Sequence, residues 1–166
     1  RNPINPYGKT KLDDEYLFEK YSKMGTKIIG LRYFNIFGKG QTLEYAGVIT
    51  KFLDRINQKE PPIIYGDGSQ IRDFIFVEDI VLANLLAMQS PVSSSLVNIG
   101  TGKAITISEL ANMMIETSGQ NLKPIFKESL EGDIKKSQAD ISLAINSLNW
   151  RPKKELQDWL KEIFSN

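Results

Sequence analysis

Apolar extended segments alternate with amphipathic helical patterns along this 166-residue sequence, and this alternation limits the fold more than any other feature. Helices are predicted over residues 7–24, 45–58, 78–88, 106–119, 141–148 and 154–164. Strands are predicted at 27–34, which should be buried on both faces, and at 63–65, 72–77, 96–99 and 124–126. Strands that alternate with helices form a sheet covered by helices. The sequence therefore predicts an α/β fold.

Two of these helices carry recognisable sequence signals at their ends. Asn5 followed by Pro6 is typical of a capping residue and the first helical position, and Gly25 is typical of a helix end. Thr106 and Glu109 have the spacing of a capping box, in which each side chain binds the backbone N–H of the other residue.

Residues 100–102, Gly-Thr-Gly, lie between a predicted strand and a predicted helix, as the glycine-rich loop of a dinucleotide-binding fold does. Such a loop needs a third glycine three residues after Gly102, and Ile105 occupies that place. We therefore interpret this segment as a tight turn.

The sequence contains no Cys and no His, and this excludes several kinds of active site. Cys nucleophiles, Ser-His-Asp triads and the common zinc sites each need one of these residues, so no metal site is expected. Proton transfer is left to carboxylates, Lys and Tyr. A net charge of +1 disfavours a nucleic-acid partner. Without a long apolar run or a leader, no membrane partner is expected, and the expected compartment is the cytoplasm.

Tyr7 and Lys11 are four residues apart on the first predicted helix, so their side chains share one face. A nearby ammonium group favours the deprotonated phenol, which would make Tyr7 a base and Lys11 its activator. The alternative from these residues alone is an ordinary exposed pair on a helix surface.

Three polar residues stand where an α/β sheet can bind a ligand. Asn35 follows the first predicted strand, and ligands of open α/β sheets lie beyond the carboxyl ends of strands; a turn residue is the alternative. Arg72 offers a planar guanidinium suited to a diphosphate, and a surface pair with Asp73 is the alternative. Asp133 is either an acceptor for a ligand or an ordinary loop carboxylate.

Seven short motifs occur in a fixed order along the chain. They are PYGKTK at 6–11, LRYFN at 31–35, GDG at 66–68, RDF at 72–74, NIG at 98–100, GD at 132–133 and AD at 139–140. Together they resemble the NAD-dependent epimerase/dehydratase family of extended short-chain dehydrogenases/reductases, and especially its UDP-glucose 4-epimerase-like members. The resemblance covers essentially all 166 residues.

The resemblance implies the C-terminal part of a Rossmann-type enzyme together with its smaller substrate-binding lobe. Residues 1–60 would be the end of the NAD-binding domain, and residues 61–166 mainly the nucleotide-sugar-binding lobe, packed with it as one unit. The first residue is Arg1 rather than an initiator Met, and the family's glycine-rich loop and catalytic Ser or Thr are absent. We therefore expect a fragment that lacks the NAD-binding half and is inactive alone.

The implied activity is 4-epimerisation of a UDP-sugar with bound NAD as cofactor. Tyr7 would take the proton of the sugar 4-hydroxyl, while Lys11 would hold the nicotinamide ribose and activate Tyr7. Phe34 would join these two residues in contacting the cofactor. The residues implied in substrate binding are Asn35, Val48, Ile64, Tyr65, Arg72, Ile107 and Asp133.

Two positions depart from the family pattern. Leu130 stands where a second phosphate-binding arginine is usual, which leaves the identity of the sugar open, and Thr10 replaces the common Ser. A nucleotide-sugar 4,6-dehydratase or reductase is an alternative activity, and a non-catalytic homologue that binds a nucleotide sugar or a partner protein is another. The resemblance also implies a homodimer of the complete protein, formed through the helix that carries Tyr7 and Lys11.

Overall fold

The computed structural model describes residues 3, 5–43 and 46–165 and confirms the α/β fold. The helices in this part are α1 (Pro6–Lys23), α2 (Val48–Asn57), α3 (Val77–Gln89), α4 (Ile107–Ser118), α5 (Ser142–Leu148) and α6 (Leu156–Phe164). The strands there are β1 (Ile28–Tyr33), β2 (Asn35–Phe37), β3 (Ile63–Tyr65), β4 (Ile71–Phe76), β5 (Ser94–Ile99), β6 (Ala104–Thr106), β7 (Ile125–Lys127) and β8 (Lys136–Ser137). Within these residues, no helix has both the length and the apolar character needed to cross a membrane.

The predicted caps of α1 and α4 are confirmed. The side chain of Asn5 accepts the N–H of Gly8 at 2.8 Å, which caps α1. In α4, the hydroxyl of Thr106 accepts the N–H of Glu109 at 3.1 Å, and the Glu109 carboxylate accepts the N–H of Thr106 at 2.7 Å. Both bonds of the capping box are therefore present.

Two helices begin at least two residues later than the sequence predicts. Helix α2 begins at Val48. Its predicted start, Tyr45, lies outside the described residues. The predicted start of α6, Lys154, lies before the helix because its backbone N–H and that of Lys153 donate to the carboxylate of Asp79, at 3.2 and 3.1 Å. These bonds keep the segment outside the helix.

Between β1 and β2, the chain exchanges one pairing strand for another. The sequence predicts a single strand here, which ends before Asn35. Strand β1 runs parallel to β5 as far as Tyr33, and β2 begins at Asn35 and runs parallel to β4. Between them, the N–H of Phe34 donates to the carbonyl of Ile99 at 3.0 Å. The expected burial of β1 on both faces is wrong: the strand is only half-buried, and several of its residues line a groove between β1 and α1.

Strand β4 pairs with three other strands, β2, β6 and β8. Its second half pairs parallel with β2, while its first half pairs antiparallel with β6 and parallel with β8. Strands β3 and β7 form a separate parallel pair. The sequence does not predict β6 and β8 as strands, because segments of three and two residues are too short to show an alternating pattern.

Buried side chains form two clusters, and β4 contributes to both. Phe74 packs in a cluster with α2, α4 and α6, while Ile75 packs in a second cluster with β5, α3 and α5. The two residues separate because neighbours in a strand point to opposite faces. A division near residue 60 remains a prediction, and the packing runs across it, since α2 shares its cluster with α4 and α6.

The capping box of α4 predicts a pH-dependent contribution to stability. Hydrogen bonds from the backbone and hydroxyl of Thr106 hold the pKa of the Glu109 carboxyl below its ordinary value. Such a group stabilises the fold above its unfolded-state pKa, and the contribution is lost as the pH falls through the lower folded-state pKa. Glu109→Gln keeps an acceptor but removes the charge, so it should lower the free energy of unfolding by about 0.5 kcal/mol near neutral pH.

Denaturant unfolding of both proteins measures this difference, which should shrink as the pH is lowered to about 3. The control is Glu116→Gln in the last turn of α4, where a negative charge is unfavourable, so this variant should not lower stability. A loss in Glu109→Gln that is the same at both pH values would contradict the assignment.

Candidate active site

Tyr7 and Lys11 lie together in the first two turns of α1, as their spacing predicts. The ammonium nitrogen of Lys11 is 5.7 Å from the centre of the Tyr7 ring, within the range of a cation–π contact. Tyr7 is 72% exposed, so its phenol is open to a reactant. The pair therefore has the proximity that a base and its activator need, on an accessible surface.

Asp14 is the direct ionic partner of Lys11. Its carboxylate lies 3.1 Å from the Lys11 ammonium, one helical turn farther along α1. The hydrogen bond to Asp14 raises the pKa of Lys11 above its ordinary value, with smaller contributions from the charge of Asp14 and from Tyr7. Lys11 therefore carries its positive charge at neutral pH.

An ion pair ties α1 to the sheet. The guanidinium of Arg32 in β1 donates to both carboxylate oxygens of Glu15, at 2.6 and 2.7 Å. Such a two-bond pair fixes orientation as well as distance. It spans the α1 groove, a space of about 690 Å³ between α1 and β1 that is lined by residues including Tyr7, Lys11, Phe18, Gly30 and Leu96.

A second site, the Arg72 cavity, lies between α2, β3, β4 and the loop before β8, and has a volume of about 250 Å³. The structure brings six of the seven residues implied in substrate binding to its walls. They are Asn35, Val48, Tyr65, Arg72, Ile107 and Asp133. Residues from six separate parts of the chain thus converge on one space.

The seventh residue, Ile64, is set apart from the Arg72 cavity. It is 1% exposed and packs in the cluster of α2, α4 and α6. Its neighbours Ile63 and Tyr65 line the cavity instead. The reason is the two-residue period of a strand, which points Ile64 to the opposite face.

Arg72 is paired with Asp133. The alternative prediction, a surface pair between Arg72 and Asp73, is wrong. The Arg72 guanidinium donates to the Asp133 carboxylate at 2.5 Å and to the carbonyl of Ile71 at 2.8 Å. Only 13% of the Arg72 side chain is exposed. Asp73 points to the other face of β4 and is buried. The cavity therefore holds a guanidinium with a fixed orientation.

Asn35 and Phe34 have different surroundings although they are adjacent. The side-chain amide of Asn35 donates to the carbonyl of Asp73 at 2.9 Å, so β4 orients it beside Arg72. Phe34 is half-buried at the crossing between β1 and β2 and lines neither the α1 groove nor the Arg72 cavity. Its implied contact with the cofactor remains a prediction.

The interpretation of residues 100–102 as a turn agrees with their hydrogen bonds. The N–H groups of Thr101 and Gly102 both donate to the carboxylate of Asp73, at 2.8 and 2.9 Å. These donors are therefore already used within the protein, whereas a phosphate-binding loop must present them to its ligand.

Sequence reasoning missed two polar residues of the Arg72 cavity. Lys51 lies on α2 three residues after Val48, so the helical spacing places both side chains on one face and could have identified it. Gln70 donates to the carbonyl of Tyr65 at 2.7 Å, a contact within a turn that carries no sequence pattern. Lys51 adds a second positive charge to the cavity.

Mainly parallel strands covered by helices, a Tyr–Lys pair on the first helix and a cavity that contains an arginine are features of an extended short-chain dehydrogenase/reductase. More specifically, the chain belongs to the NAD dependent epimerase/dehydratase family, whose sequence profile matches residues 1–100. The family resemblance found in the motifs is thereby confirmed.

Solved structures and curated relatives agree with this assignment. A Thermotoga maritima UDP-glucose 4-epimerase, solved with UDP-glucose, is 37% identical with a TM-score of 0.93 over 99% of this chain and 53% of its own. A Bacillus cereus UDP-glucuronic acid 4-epimerase, solved with UDP-glucuronic acid and NAD, is 30% identical with a TM-score of 0.89 over 99% and 52%. A UDP-glucuronate 4-epimerase of Thermodesulfobacterium geofontis is 31% identical over 96% of this chain and 49% of its own length. The chain therefore spans about half the length of the relatives it matches.

The contact between Lys11 and Asp14 predicts a specific change in titration. Asp14→Asn removes the negative charge and should bring the pKa of Lys11 down towards its ordinary value. An NMR titration of the Lys11 ε-carbon measures this pKa. The control is Asp13→Asn on the same helix, which leaves the ion pair intact and should leave the titration unchanged. An unchanged Lys11 pKa in Asp14→Asn would show that the ion pair does not persist in solution.

Proposed function

We propose that the complete protein is a nucleotide-sugar 4-epimerase that acts on a UDP-linked sugar with NAD as its cofactor. The observation that carries this proposal is the Arg72 cavity, where six residues with an implied substrate role lie together. The cavity combines cationic and amide side chains with aromatic and aliphatic walls, which suits a ligand with both a diphosphate and a flat base. The relatives solved with UDP-glucose and UDP-glucuronic acid support this choice of ligand.

The charges of the cavity support a diphosphate as the group that Arg72 binds. Arg72 and Lys51 contribute two positive charges, and Asp133 contributes one negative charge. In the free protein, Asp133 neutralises the Arg72 guanidinium. A diphosphate carries more negative charge than one carboxylate and can bind Arg72 through two parallel hydrogen bonds. It therefore competes effectively with Asp133, while the amide of Asn35 supplies a neutral donor.

The geometry of α1 supports the role of Tyr7 as the base. Its phenolate would accept the proton of the sugar 4-hydroxyl and return a proton to the same oxygen after the sugar has turned. The Lys11 ammonium, 5.7 Å from the ring centre, stabilises the phenolate through its charge. When bound, NAD would serve as the oxidant: it would accept a hydride from C4 of the sugar and return it to the opposite face.

The chain contains residues for only one side of an NAD site. Tyr7 and Lys11 share an exposed face of α1, where Lys11 would hold the nicotinamide ribose. The 166 residues contain no Gly-x-x-Gly-x-x-Gly sequence, the type of loop that holds NAD phosphates in this class of enzyme. We therefore propose that these residues alone neither bind NAD nor catalyse the reaction.

Removing the Tyr7 hydroxyl tests the mechanism. In the complete protein, Tyr7→Phe should lower kcat roughly 10²- to 10⁴-fold, because the reaction loses its general base. Interconversion of the C4 epimers of a UDP-sugar, followed by proton NMR, measures the rate. Tyr16→Phe on the same helix is the matched control, since Tyr16 is also exposed but does not line the α1 groove. Full activity in Tyr7→Phe would rule out this mechanism.

Removing the Arg72 charge tests the binding site. In the complete protein, Arg72→Gln should weaken UDP binding about 10- to 100-fold, because a charge-assisted contact with the diphosphate is lost. Isothermal titration calorimetry measures the affinity. Arg151→Gln, at an exposed arginine outside the cavity, is the control and should bind UDP like the wild type. Equal affinities in wild type and Arg72→Gln would remove Arg72 from the site.

A further inference from the structure

Asp73 is the most deeply buried charged residue in the described part of the chain. Its exposure is 0%, and the other buried acid there, Asp79, is 4% exposed. An ionised carboxylate is stable in a protein interior only when hydrogen bonds or opposite charges replace its water. Among the described residues, no basic side chain forms an ion pair with Asp73. Its stabilisation therefore depends on hydrogen bonds from uncharged groups.

Four hydrogen bonds reach the Asp73 carboxylate from two loops. One oxygen accepts the N–H of Thr101 at 2.8 Å and the hydroxyl of Thr101 at 2.6 Å. The other oxygen accepts the N–H of Gly102 at 2.9 Å and the N–H of Ala139 at 3.0 Å. These partners lie in the loop after β5 and in the loop before α5. One side chain thus fastens β4 to two segments far away in sequence.

The close packing at Gly100 shows how little freedom this junction has. A Cβ atom on Gly100 would lie 2.6 Å from the Cβ of Ala139 and 3.0 Å from a carboxylate oxygen of Asp73. Both distances are shorter than an ordinary contact, so a side chain at this position would push the two loops apart. The carboxylate is therefore held in a nearly filled space.

The backbone of β4 at Asp73 holds two side chains of the Arg72 cavity in place. The carbonyl of Asp73 accepts the side-chain amide of Asn35 at 2.9 Å. Arg72 directly precedes Asp73, and its backbone pairs with Ser137 of β8 and Ile105 of β6. Fixing the Asp73 carboxylate on one face of β4 therefore fixes the positions from which Asn35 and Arg72 reach the cavity on the other side.

We propose that Asp73 is a positioning residue for diphosphate recognition in the Arg72 cavity. It acts without touching the ligand, by holding β4 so that the Arg72 guanidinium and the Asn35 amide are already oriented for the diphosphate. Binding groups that are oriented in advance lose little freedom when the ligand binds, and small displacements of them are costly. The inference rests on the proposed function, since it needs a diphosphate ligand in that cavity.

The substitution Asp73→Asn in the complete protein tests this role. In the wild type, each oxygen of the Asp73 carboxylate accepts at least one backbone N–H. The asparagine NH₂ group would face such an N–H, so two donors would meet and β4 would shift. Asp79→Asn is the matched control, because Asp79 is also buried and also accepts two backbone N–H groups but lies outside the Arg72 cavity. Calorimetry with UDP and thermal unfolding are measured on both variants.

Both variants should unfold at a lower temperature than the wild type. Only Asp73→Asn should also lose affinity for UDP, by roughly 10-fold or more, while Asp79→Asn keeps its affinity within about 2-fold. Equal weakening in both variants would reduce Asp73 to a general stabilising role. Wild-type UDP affinity in Asp73→Asn would equally overturn the proposal.

Two further measurements keep the test decisive. If Asp73→Asn does not fold, Thr101→Val is the second variant. It removes the hydrogen bond from the Thr101 hydroxyl to Asp73 but keeps the backbone N–H groups of Thr101 and Gly102. This variant should still weaken UDP binding. NMR signals of the Asn35 amide and the Arg72 Nε–H report positioning without a ligand, and they should shift in Asp73→Asn but not in Asp79→Asn. A wild-type protein that does not bind UDP would overturn the proposed function, whereas unchanged signals in Asp73→Asn would overturn the positioning role.

Discussion

The four hydrogen bonds to the buried carboxylate of Asp73 hold together the parts of the chain on which the candidate site depends. They join β4 to the loop after β5 and to the loop before α5. On the same strand, Phe74 and Ile75 extend into different buried clusters. A charge in the interior is stable only while its hydrogen bonds remain, so this junction has one favourable arrangement. That arrangement places Arg72 and Asn35 beside each other at the cavity.

The two halves of the candidate site are organised by different forces. The α1 groove is open, and its ionic contacts are local or connect α1 to β1, as in the pairs Lys11–Asp14 and Arg32–Glu15. In the Arg72 cavity, the guanidinium is already paired with Asp133. In the proposed reaction, Tyr7 would have to reach a sugar that turns, while the diphosphate would stay in place. A guanidinium held by Asp133 and an exposed Tyr7 suit these two requirements.

Part of this arrangement follows from local periodicity, since the helical spacing of Tyr7 and Lys11 predicts their shared face. Six residues of the Arg72 cavity were instead implied by the resemblance to the family. The bonds of Asp73 could not be predicted, since its partners lie 28 to 66 residues away and contain ordinary backbone groups. The crossing from β1 to β2 was hidden for a similar reason: apolar residues continue through it, and only the pairing of distant strands reveals the change. The burial of Ile64 could not be predicted either, because the family resemblance does not show which face of a strand each residue occupies; its role in substrate binding remains a prediction.

We propose that the complete protein interconverts the C4 epimers of a nucleotide sugar. The most direct measurement is proton NMR of a panel of UDP- and dTDP-linked sugars incubated with the complete protein and NAD. The account predicts that a UDP-sugar is converted to its C4 epimer without net accumulation of NADH, because the hydride returns to the sugar in each turnover. Conversion to a 4-keto-6-deoxy sugar, or binding of UDP-sugars without any conversion, would contradict it.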